Sequence, residues 1–161
     1  MLPESAADRV RDGDRVAGVA EGPARVLLHA SCVELWDAGV VLLGPSGSGK
    51  SDLAVRLIDD GARLVSDDGL LVERRGDALF GSAPEAIAGL LEVRGLGIMR
   101  VDHRPSSRLG LAVTLGVQPS RLPEPATFEL LGIALPRIEL DARTPSACAK
   151  IRLALVAKRI E

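Results

Sequence analysis

The stretch that most limits what this chain can fold into is VVLLGPSGSGKSDLAVRLIDDG, residues 40–61. An apolar run, Val40 to Leu43, breaks at Gly44 into a loop of glycines and serines. It resumes after Lys50 as Leu53, Ala54, Leu57 and Ile58. Those four positions share one face of a helix, and Gly61 stands where a helix C-terminus accepts a left-handed residue. Strand, tight loop and helix in that order frame the pattern G-x-x-x-x-G-K-[ST]. Gly44, Pro45, Ser46, Gly47, Ser48, Gly49, Lys50 and Ser51 satisfy it at every fixed position. Such a loop turns backbone N–H groups inward, and the helix N-terminus behind it adds partial positive charge, so it is built to hold phosphate oxygens. Lys50 is placed to reach the β- and γ-phosphates of a nucleotide, and the Ser51 hydroxyl to ligate Mg²⁺.

The loop alone does not name a reaction, because many phosphate-handling machines carry one. Asp67 and Asp68 come next, the second of them 18 residues after Lys50, at the end of the strand expected at ARLVS (62–66). Two carboxylates beside a phosphate loop can divide two tasks: holding Mg²⁺, and orienting or deprotonating an attacking hydroxyl. Neighbouring residues on an extended chain face opposite ways, so this division requires the chain to turn there, and Gly69 permits it. His29, 21 residues before Lys50, lies on a strand expected to neighbour the loop strand. Arg94, Arg100, Arg104, Arg108, Arg143 and Lys150 are the remaining cations that phosphate could recruit.

Composition excludes several function classes. Aromatic residues are 2% of the 161 residues (Trp36, Phe80, Phe128, no Tyr), so the core has to be aliphatic and base-stacking nucleic-acid modules lack their material. A net charge of −2 offers no general polyanion surface, so no nucleic-acid partner is expected. No apolar run approaches the ~18 residues a membrane helix needs, and the N-terminus has no signal-peptide core. Cys32 and Cys148 are far apart and match no metal or disulfide spacing, which suits two buried thiols in a reducing cytoplasm.

Along the chain, residues 1–24 read as a flexible polar leader and 25–161 as one domain. RVLLHASCVEL (25–35) reads as a strand, WDAG (36–39) as a turn and VVLLG (40–44) as a second strand hairpinned to the first. LLVERR (70–75) and ALFGS (78–82) flank Gly76-Asp77 as another hairpin. Pro84 is placed to open a short helix through Leu90. LLEVRGLGIMRV (90–101) is apolar but broken by two glycines, and DHRPSSR (102–108) is a basic loop. LGLAVTLGV (109–117) and TFELLGIALPRIELD (127–141) contain strands. Ser146 stands as the cap of a last helix that ends in the cations Lys158 and Arg159. Many strands, few helices and no strict βαβ alternation exclude a plain doubly wound sheet.

HASCVEL (29–35), GPSGSGKSDLAVRLIDDGARLVSDD (44–68) and above all LLEVRGLGI (90–98) together resemble HPr kinase/phosphorylase, over residues 26–160. The resemblance implies an α/β fold: a P-loop kinase domain related to phosphoenolpyruvate carboxykinase, with a mixed sheet, hairpins and few helices, assembled as hexamers. It implies phosphorylation of a serine on an HPr-type phosphocarrier protein of a phosphotransferase system, with ATP and Mg²⁺ as cofactors, in the cytoplasm. It also implies the phosphorolytic reverse reaction. Carried over by motif, Lys50 is catalytic and Ser51 is on magnesium. His29 is the catalytic histidine and Asp68 the acid/base, with Asp67 beside it. Glu92 is a second magnesium-associated carboxylate, and Arg143 a late catalytic arginine. Residues 1–24 are too few for the N-terminal domain of longer family members, so the short proteobacterial form is implied. The family's late basic loop is replaced here by Arg143-Thr144-Pro145-Ser146-Ala147, which leaves the reverse reaction open.

Three other machines use such a loop. A transporter ATPase needs a longer domain, an LSGGQ-like run and a downstream Asp-Glu, none of which is present. A small-molecule kinase and a non-catalytic ATP-binding regulator remain as alternatives; the first would phosphorylate a metabolite and no protein, the second would transfer nothing.

Overall fold

The structure is a computed structural model and describes residues 24–157. The leader expectation therefore falls, apart from Ala24, outside the described residues, as do Lys158 and Arg159. Eleven strands and two helices are described. The strands are β1 Arg25–Leu28, β2 Ser31–Leu35, β3 Ala38–Leu43, β4 Arg63–Ser66, β5 Leu70–Arg75, β6 Ala78–Ser82, β7 Leu90–Val93, β8 Gly97–Arg100, β9 Ser107–Thr114, β10 Ala126–Leu130 and β11 Ile133–Glu139. The helices are α1 Lys50–Asp59, between β3 and β4, and α2 Ala147–Val156, after β11.

Nine strands make one mixed sheet in the order β1-β5-β6-β9-β3-β2-β4, with the β10–β11 hairpin joined through β11 to β9; β7 and β8 form a separate hairpin. Among the described strand pairs, only β3–β9 and β9–β11 are parallel. The rest pair antiparallel, because most connections are too short for a crossover. The sheet is buried on both faces. Val33, Val40, Leu42, Leu111 and Val113 pack under Leu53 and Leu57 of α1 and Ile151 of α2. Val26, Leu28, Cys32, Val41, Leu70, Val72 and Leu79 fill the other face with Leu130 and Leu135. Residues 40 and 42 face one side and 41 the other, as a period of two demands, so β3 reads as an unbroken apolar run. Each leucine that α1 buries contributes roughly 1.5–3 kcal/mol. Both clusters are almost wholly aliphatic, as the shortage of aromatics requires. Cys32 and Cys148 are both buried free thiols, and burial pushes both thiol pKa values up.

Five expectations change. The run 25–35 is not one strand: β1 pairs with β5, whereas β2 pairs with β3 and β4, and His29-Ala30 is the joint between them. The Ala30 carbonyl, freed from any ladder, accepts the Gly69 N–H at 2.8 Å. Pro84 opens only a 3₁₀ turn, Glu85–Ile87, because the chain reverses at Gly89 (φ +77°) straight into β7. The strand expected within 109–117 begins two residues earlier, at Ser107, because β6 pairs with that extension. Ser146 stands at the α2 N-cap, but its φ/ψ of −88°/2° is close to helical and its hydroxyl caps nothing. The 70–82 hairpin forms as read, whereas the first hairpin turns more tightly than expected, at Trp36-Asp37 (φ 53° and 64°), with Ala38 and Gly39 already paired in β3.

Candidate active site

The loop after β3 is shaped by residues that only glycine can occupy. At Gly44 (φ +151°) a β-carbon would lie 2.6 Å from Ser48 Oγ and 2.9 Å from the Leu115 carbonyl oxygen, and the backbone atom cannot yield. Gly44→Ala is therefore expected to lower stability by about 1–3 kcal/mol, read as a lower Tm. Gly49, at φ +99°, delivers the chain into α1, and its carbonyl accepts the first helical bond, from Leu53 N at 2.9 Å. The open α1 N-terminus thus faces the loop interior. Lys50 starts the helix and folds back: its Nζ donates to the carbonyls of Gly44 (2.7 Å) and Pro45 (3.2 Å), leaving the residue 7% exposed. An amine held this way stands at the loop mouth with its charge kept in place.

Asp67 and Asp68 do part company. A register shift between Cys32 and Val33 puts a bulge in β4 opposite β2, and bulges re-aim the side chains that follow. Asp67 turns inward and is 8% exposed. Its Oδ1 accepts from Ser51 Oγ (2.9 Å) and Ser31 Oγ (3.1 Å), and its Oδ2 from the Glu92 N–H (3.0 Å). Asp68 takes a left-handed φ of 53° and stays exposed, its Oδ1 3.1 Å from His29 Nδ1. The turn is tied by Ser66 Oγ donating to the Gly69 carbonyl.

One cleft of about 530 Å³ is lined by Ser46, Gly47, Gly49, Lys50 and Ser51 of the loop and by Asp68, Glu92, Arg94 and Arg143; Asp67 and His29 do not line it and are linked to it through Ser51 and Asp68. Glu92 and Arg94 arrive on the β7–β8 hairpin. Of the six basic candidates only Arg94 and Arg143 line the cleft; Arg104 is drawn instead to the buried Glu34, 3.0 Å away. Arg143 lies on the rim, its side chain 90% exposed, paired with Asp141 at 3.2 Å. The Arg143 hydrogen bonds lower the Asp141 carboxyl pKa from its ordinary value.

Two residues that hydrogen-bond to the segments around the cleft escape sequence reasoning. Ser31 is described above; its only sequence signal is a hydroxyl inside an apolar run. Arg56, on α1, donates to the carbonyls of Ala142 and Thr144, which flank Arg143 in the chain. No local signal links residues 86 and 88 positions apart. Arg56→Met is expected to cost about 1–3 kcal/mol, read as a lower Tm, since both carbonyls lose a charged donor.

The family model for the HPr serine kinase C-terminal domain matches residues 23–107, from the edge of β1 to the start of β9. The chain belongs to the HPr serine kinase C-terminal domain family. Among its relatives, HPr kinase/phosphorylase of Caldanaerobacter subterraneus subsp. tengcongensis is 35% identical over 133 residues, covering 80% of this chain and 44% of the relative. HPr kinase/phosphorylase of Xylella fastidiosa is 38% identical over 130 residues, covering 75% and 41%. The chain thus spans under half the length of these curated relatives. The solved structure of the HPr(Ser) kinase/phosphatase from Coxiella burnetii superposes with a TM-score of 0.70 at 27% identity, over 80% of this chain and 93% of that one. The mixed sheet with two helices is therefore the fold of this kinase family. Among the described residues, no helix is long and apolar enough to cross a membrane.

The donor set fits a magnesium-bound nucleotide. The loop offers amides and an ammonium group to phosphate. Among the described residues no group of three or more His, Cys, Asp or Glu gathers as a metal cage. A hydroxyl with one or two carboxylates, completed by phosphate and water, is how Mg²⁺ is ordinarily held.

Proposed function

We propose that residues 25–161 are the catalytic domain of a kinase that uses ATP and Mg²⁺ to phosphorylate a serine of an HPr-type phosphocarrier protein in the cytoplasm. The single observation that carries this reading is the cleft that Lys50 and Ser51 of the loop share with Asp68 and Glu92, with His29 behind Asp68 at 3.1 Å.

Bound Mg-ATP supplies the phosphoryl group and, through the metal, neutralises charge on its oxygens. Lys50 and the loop amides hold the phosphates, with Ser51, Asp67 and Glu92 the residues to hold the metal. Asp67, fixed by three donors, serves as a rigid acceptor for the Ser51 hydroxyl. Asp68 takes the proton of the attacking serine, whose oxygen gains the phosphoryl group as ADP leaves. His29 orients that carboxylate from 3.1 Å. Arg94 and Arg143, which also line the cleft, supply positive charge there. Phosphorolysis, in which inorganic phosphate attacks the seryl-phosphate, would run the same proton back from Asp68 and release pyrophosphate. Assembly as a hexamer and kinship with phosphoenolpyruvate carboxykinase belong to this reading.

The test is direct. The protein is mixed with Mg-ATP and an HPr-type carrier, and the carrier is examined by mass for one added phosphate on serine; phosphate is then added and pyrophosphate measured. Chelating Mg²⁺ is expected to stop the transfer. No transfer to any carrier, with transfer to a metabolite or to nothing, would point to the small-molecule kinase or to the regulator.

A further inference from the structure

The turn that separates the two aspartates depends on one hydroxyl outside the loop and outside the acidic pair. Ser31, the first residue of β2, is wholly buried. Its Oγ–H donates to Asp67 Oδ1 at 3.1 Å, and the same oxygen accepts the Asp68 N–H at 3.1 Å. One atom thus fixes the side chain of the first acid and the backbone of the second. The peptide between them is pinned, Asp67 faces Ser51, and Asp68 is held at φ 53° with its carboxylate toward His29. A non-glycine residue held in the left-handed region costs energy and persists only where its surroundings over-determine it. Here they do so through Ser31 from β2, the Ala30 carbonyl on Gly69 N–H, and Ser66 on the Gly69 carbonyl. Of these, only Ser31 touches both acids.

We propose that Ser31 is a positioning residue for phosphoryl transfer, whose hydroxyl divides Asp67 and Asp68 between support of the metal-binding serine and proton transfer. This rests on the kinase reading above. Without the hydroxyl, Asp67 still has Ser51 and the Glu92 N–H, so phosphate binding survives. Asp68 loses its backbone anchor, and its carboxylate samples orientations away from the incoming serine.

The experiment compares wild type, Ser31→Ala and Ser31→Thr as full chains. Three quantities are read: amide hydrogen exchange at Asp68, ADP affinity, and kcat and KM for transfer to the carrier. Ser31→Ala is expected to lose Asp68 amide protection and to drop kcat about 10- to 100-fold, the usual range for an outer-shell partner. ADP affinity should stay within about threefold of wild type, since the loop is untouched. Ser31→Thr keeps the hydroxyl and is expected to recover most of kcat. A folded Ser31→Ala with wild-type kcat overturns the proposal, as does Ser31→Thr failing as badly as Ser31→Ala at equal stability. If Ser31→Ala does not fold, Ser31→Cys decides: nearly isosteric but a weak donor, it should lower kcat, and wild-type turnover by it overturns the proposal. A wild-type protein that transfers nothing overturns the kinase reading instead. Asp68 exchange in wild type then still decides whether Ser31 holds the turn, and fast exchange there refutes it.

Discussion

Lys50→Met should lose phosphoryl transfer by about 100- to 1,000-fold or more while remaining folded. Lys50 is the cation set into the loop itself, at the first position of α1, and its Nζ is already held by the Gly44 and Pro45 carbonyls. Removing one preorganised group that stabilises charge in a transition state typically costs this much. Methionine has nearly the same reach and fills the same buried channel, so packing against the helix start is kept. The two carbonyls lose their donor, but the site also loses the cost of desolvating an ammonium group. Tm is therefore expected to move by only a few degrees. Initial rates of phosphoserine formation, alongside a thermal melt, check both halves. Wild-type turnover by Lys50→Met would remove the loop from the chemistry.

The second large effect separates the adjacent acids. Asp68→Asn should reduce transfer about 10²- to 10⁴-fold, the usual contribution of a positioned general base. The fold should tolerate it, because asparagine accepts the left-handed conformation that Asp68 adopts and its amide oxygen can still meet His29. Asp67→Asn should behave differently. Asp67 is buried and accepts three hydrogen bonds through two oxygens. An amide offers only one oxygen and turns its N–H₂ toward a donor, so a loss of about 1–3 kcal/mol in stability is expected before any effect on rate. A paired measurement of melting and turnover on the two variants would show stability lost at 67 and chemistry lost at 68. The same loss at both positions would mean that the two acids do not divide the work.

Much of this was legible in the sequence where the causes are local. The β3–loop–α1 passage follows from apolar spacing and glycine chemistry within about twenty residues. The 70–82 hairpin follows from two short runs around Gly76-Asp77. Local chemistry failed where a segment serves two partners. Nothing in RVLLHASCVEL says that its first half pairs with β5 and its second with β3 and β4. The LLEVRGLGIMR stretch is apolar yet forms a hairpin whose second strand is wholly exposed, since Gly95 and Gly97 both take positive φ and turn it away from the main sheet. Arg94 and Arg104 looked alike, and the buried carboxylate of Glu34 separated them.

The sequence by itself determined the phosphate-loop pattern and the aliphatic core, because residue type and short spacing suffice for these, whereas His29, Asp68 and Glu92 stood out as candidates through a family resemblance. Only the tertiary structure decided how the acids beside the loop are arranged. The inward turn of Asp67, the outward turn of Asp68, the Ser31 hydroxyl between them and the Arg56 grip beside Arg143 all depend on contacts spanning 16 to 88 positions. The physical reason is the reach of the interactions. Glycine torsions and helical periodicity act within one turn of chain, whereas a hydrogen bond between distant segments exists only after the sheet has set their register.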